Sequence, residues 1–172
     1  MKYFKRNKDC EICKGYCPRD SKEDLRRNNF NWVYPEVRQE RFEIIAETLN
    51  KYDIDGIELD LTFGPYYFES HEVKNNMDVL TSFLKDIRRE STEISQKRNK
   101  PIAVGARIFP SLKANNDAGF DLINWIKEEL LDFVVPNVYG HIPIDPNFTF
   151  DWVLDIAATN SVKVYPALGS VI

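Results

Sequence analysis

Hydrophobic and polar positions alternate most regularly at residues 55–62, where Ile57, Leu59 and Leu61 fall on one parity and Glu58 and Asp60 on the other. Strand side chains leave opposite faces at period two, so this stretch reads as a strand with one aliphatic and one acidic face. Elsewhere the spacing changes to a helical one. Val37, Phe42, Ile45, Leu49 and Tyr52 approximate one face of a helix that Pro35 can open, because proline suits the first helical position. Val79, Leu80, Phe83, Leu84, Ile87 and Ile94 predict a long helix over 73–97, and Phe120, Leu122, Ile123, Trp125, Ile126 and Leu130 another over 118–131. A shorter helix is expected over 148–160.

Between these helices lie short apolar runs: PIAVGARI at 101–108, DFVVPNVY at 132–139 and VKVYPAL at 162–168. Their near-continuous hydrophobicity is that of strands covered on both faces. Polar residues gather at their far ends: Arg107 on the second, Asn137 and Tyr139 on the third, Tyr165 on the fourth. Alternating helix and strand calls for a parallel sheet with right-handed crossovers. The expectation is four strands near 56–62, 102–108, 133–138 and 162–168, in sequential order, with the helices on one face. No dinucleotide fingerprint or P-loop opens any helix, which favours a (β/α) barrel over a nucleotide-binding fold. Four strands do not close a barrel of eight, so the fold class expected is a partial TIM barrel that self-associates or meets a missing barrel half.

In that architecture the acidic face of residues 55–62 is explained if it opens into a mouth at the strand C-termini. A solvated edge strand would show the same pattern. The loop that follows carries Tyr66, Tyr67 and Phe68 beside Gly64 and Pro65, and its aromatics either stack on sugar rings or pack as a satellite core. Residues 1–30 lack periodicity and read as an arm holding Cys10, Cys13 and Cys17, with residues 31–172 as the folded domain. The C-x2-C-x3-C spacing makes these cysteines weak metal candidates, but no fourth ligand is local, and free thiols or one local disulfide fit as well.

The chain has 172 residues, a net charge of −4 and 13% aromatic residues. Its basic residues are scattered apart from those at 2–8, so no nucleic-acid footprint is present, and no apolar run approaches the ~18 residues of a membrane span. Neither nucleic acid nor membrane is an expected partner, and no cofactor is implied. The N-terminus shows no export signal.

Three segments together, Asn31-Trp32 with Tyr34-Pro35-Glu36-Val37-Arg38, Tyr52-Asp53-Ile54-Asp55-Gly56-Ile57-Glu58-Leu59-Asp60, and Phe120-Asp121 through Trp125 to Leu131-Asp132-Phe133-Val134-Val135-Pro136, resemble bacterial glycoside-hydrolase-like TIM-barrel proteins of the family 10-like group. The resemblance covers about residues 30–170. It implies that the D-G-I-E-L-D strand is the fourth of the barrel and that Glu58 and Asp60 are active-site carboxylates. It implies carbohydrate as partner, with Trp32, Tyr66, Arg107, Asn137, Tyr139 and Tyr165 as contacts, and relatives that are secreted or periplasmic. Phe63 stands where such proteins often carry arginine. The same strand is similar to the chitinase-like family 18 signature, except that Thr62 replaces that family's catalytic glutamate, which argues against a chitinase mechanism.

A glycosidase needs two carboxyls about 5–9.5 Å apart, and same-face strand neighbours stand about 6.6 Å apart. Glu58 and Asp60 meet that spacing, although both approach from one direction. The alternative is a non-catalytic carbohydrate-binding or structural barrel segment.

Overall fold

A computed structural model describes residues 30–63, 66–69, 71–137 and 150–167. Helix α1 (Pro35–Lys51) starts on its proline, with Glu36 in the first turn and Lys51 in the last, where each suits the helix dipole. Strand β1 (Gly56–Asp60) follows after four residues. A 3-10 turn at Val73–Asn75 leads into α2 (Met77–Arg98), then come β2 (Ala103–Ile108), α3 (Leu112–Ala118), α4 (Leu122–Lys127), β3 (Phe133–Pro136), α5 (Asp151–Thr159) and β4 (Lys163–Val164).

The four strands form one all-parallel sheet in the order β1-β2-β3-β4. Glu58 lies opposite Gly105 and Asp60 opposite Arg107, and Gly105 in turn lies opposite Phe133. β4 is shorter than the expected strand at 162–168. Its pairing nonetheless continues upward, with Tyr165 N–H donating to Val134 O and Ala167 N–H to Pro136 O, both at 2.9 Å. Pro166 falls at the alternate position, where its missing donor costs this ladder nothing.

Alternation divides the sheet into two faces. Val104, Ala106, Ile108 and Val134, all fully buried, join a core with Leu80, Phe83, Leu84 and Ile87 of α2, Leu122, Trp125 and Ile126 of α4, and Val153 and Ala157 of α5. Each such aliphatic contributes about 1.5–3 kcal/mol relative to exposure. Trp125 also donates its Nε1–H to Thr81 Oγ1 at 2.8 Å, which joins α4 to α2 without leaving the indole nitrogen unsatisfied. The residues of opposite parity, Glu58, Asp60, Gly105, Arg107 and Phe133, are not part of this helix-side core.

Polar anchors hold the strand N-termini. Arg88 of α2 donates from Nε and Nη2 to Leu130 O at 3.1 and 2.9 Å and from Nη1 to Asp132 Oδ2 at 2.9 Å. The same carboxylate oxygen accepts Val104 N–H at 2.7 Å, so one side chain ties α2, β2 and β3 together. Nearby, Lys100 bridges Asp53 and Asp55 at 2.8 and 3.0 Å. Its hydrogen bond, reinforced by its charge, holds the Asp53 carboxyl below the ordinary range.

The helix expected over 118–131 is corrected to the shorter α4, which is separated by a turn from a preceding helix, α3. Gly119 takes φ +89°, a left-handed conformation that ends α3, and its N–H donates back to Asn115 and Asn116 carbonyls. The apolar spacing that marked this segment begins after the break, at Phe120, which is fully buried. α3 was not expected from its LKANNDA sequence, which has no apolar face. Its anchor is Asn115, fully buried, whose Oδ1 accepts Phe109 N–H at 2.9 Å and whose Nδ2 donates to Phe109 O and Ser111 O, both at 2.8 Å. Ser111 caps the helix by accepting Ala114 N–H. Since removing buried hydrogen-bond partners costs about 1–3 kcal/mol per orphaned group, Asn115→Ala should lower unfolding stability by about 2–4 kcal/mol in urea melts. Ser111→Ala should cost about 1 kcal/mol.

Candidate functional site

The face of the sheet opposite the helix-side core is built in rows across the strands. Register and alternation place Glu58, Gly105, Phe133 and Lys163 in one row, and Asp60, Arg107, Val135 and Tyr165 in the next toward the strand C-termini. Arg107 reaches from the second row to the first: its Nε–H donates to Glu58 Oε1 at 2.7 Å, and Nη2 lies 2.6 Å from the same oxygen. Both side chains remain about one-third exposed, at 30% and 33%. A pair so placed contributes about 0–1 kcal/mol to stability. Its consequence is positional: the carboxylate and guanidinium are fixed against each other at a part-exposed position.

Asp60 is held differently. Its Oδ1 accepts Thr62 N–H at 3.1 Å, the Thr62 hydroxyl at 2.9 Å and Phe63 N–H at 3.2 Å, which folds the chain sharply as it leaves β1. Thr62, 3% exposed, is thus an internal loop anchor rather than a group offered at the mouth. Tyr67 closes the same loop from below by donating its hydroxyl to Leu61 O at 3.0 Å. Burial pushes the Tyr67 phenol well above its ordinary range, and the nearby Asp60 charge adds to the effect.

One aromatic residue of this face, Phe133, was not singled out in the sequence. Phe133 lays its ring over β2 at Gly105, where a Cβ would stand 2.1 Å from Phe133 Cζ. Tyr165, 52% exposed, meets Phe133 edge-on with ring centroids 5.9 Å apart. Gly105, inside an otherwise apolar strand, was the available signal, since glycine there marks a close approach. Phe63, at the β1 exit, is 76% exposed.

The remaining candidates separate by location. Asn137 ends β3 on the same parity as Arg107's partner Val135, bridges to Ala167 and is 4% exposed. Trp32 sits in the helix-side core, edge-on to Tyr67 and Phe83 at 5.1 and 4.9 Å, so its indole is a packing element. Of the loop aromatics, Tyr67 and Phe68 are buried core residues while Tyr66 is half-buried. Tyr139 and Cys10, Cys13 and Cys17 lie outside the described residues. Among the described residues no group of three or more His, Cys, Asp or Glu side chains is arranged to hold a metal ion, and no helix is long and apolar enough to cross a membrane.

Compared with known proteins, the chain matches no family model and no curated sequence. What the fold defines is an α/β protein with a four-stranded all-parallel sheet.

The Phe133–Gly105 contact can be tested by stability measurements. Gly105→Ala forces the ring off the strand and should cost about 1–3 kcal/mol, the usual range for overpacking. In a Phe133→Ala background the same change should cost less than about 0.5 kcal/mol, because the clash partner is gone.

Proposed function

We propose that the described sheet is a run of consecutive strands of a (β/α) barrel and that the face opposite its helical core engages carbohydrate. Sequential parallel order with the helical core on one face supports the barrel, because doubly wound sheets place helices on both faces. The observation that carries the ligand class is the Glu58–Arg107 pair sharing a face with the exposed Tyr165 ring. Carboxylate and guanidinium suit the hydroxyls of a sugar, and an aromatic ring suits its apolar face.

In the hydrolytic form of this proposal Glu58 and Asp60 are the two carboxyls at the glycosidic bond, as in a glycoside hydrolase. A non-catalytic, carbohydrate-binding form is favoured by a specific feature: Glu58 Oε1 and Asp60 Oδ1 are already committed to protein donors. Carboxylates held in this way serve as fixed recognition groups.

The test uses a panel of linear oligosaccharides, with affinity read by calorimetry and hydrolysis by release of an aryl leaving group. The wild-type chain should bind at least one member, and Glu58→Gln should weaken that binding about tenfold, or 1.4 kcal/mol. The melting temperature should move by no more than a few degrees, given the small stability of a part-exposed pair. Aryl release by the wild type, lost in both Glu58→Gln and Asp60→Asn, would establish the hydrolytic form. Unchanged affinity in Glu58→Gln, or no binding across the panel, would contradict the site.

A further inference from the structure

We draw no further inference here: the strongest candidate, the buried Asn137 side chain just past the C-terminal end of β3, carries nothing because it belongs to the site already described, where the family resemblance already implies it as a carbohydrate contact.

Discussion

The structure depends on one constraint, the period-two alternation of side chains along four parallel strands. Because paired residues in neighbouring strands point the same way, the alternation of one strand is copied across the sheet by register. Val104, Ala106, Ile108 and Val134 are thereby gathered against the helices, and Glu58, Asp60, Arg107 and Phe133 are gathered on the other side. A slip of one residue in β1 or β2 would exchange the two sets, placing a carboxylate or a guanidinium against the helix-side core. Burying such a charge without a partner costs far more than the aliphatic contacts that would be traded for it. The acidic alternation of β1 consequently specifies register as well as providing functional groups.

Polar contacts at the two ends of the strands serve different purposes. At the N-terminal end Arg88 and Asp132 stitch α2 to β2 and β3, while Lys100 holds Asp53 and Asp55. Asp55, although part of the same D-G-I-E-L-D run as Glu58 and Asp60, is therefore spent on structure at the opposite end of the strand. At the C-terminal end Asn115 and Asp60 each fold a departing loop back on itself by accepting backbone donors. These clamps pin the first residues of both loops to the strand ends.

Much of this was legible in the sequence, because alternation and helical period are strong signals over long segments. The alternation of helical and strand periods along the chain led to the order and direction of the sheet. The start of α4 was hidden because the apolar spacing begins at Phe120, ahead of Leu122 where the helix starts, and burial does not reveal where the backbone turns. α3 was invisible for the opposite reason: it is stabilised by the amide of Asn115 and has no apolar face to detect. Trp32 was expected as a carbohydrate contact, yet its neighbours Tyr67 and Phe83 come from distant segments that the local sequence does not bring together. The Phe133 ring over Gly105 likewise depends on a cross-strand register that becomes definite once the strands are paired.

The central claim, that alternation separates a helix-covered face from an open one bearing the charged pair, is tested most directly by thiol-labelling rates. Single cysteines would be placed at positions 104, 106, 107 and 58 in a background with Cys10, Cys13 and Cys17 replaced by serine. The account predicts rapid labelling for Glu58→Cys and Arg107→Cys, and protection of Val104→Cys and Ala106→Cys until the chain unfolds globally. Equal rates at 106 and 107, or protection at 107 with rapid labelling at 106, would contradict it.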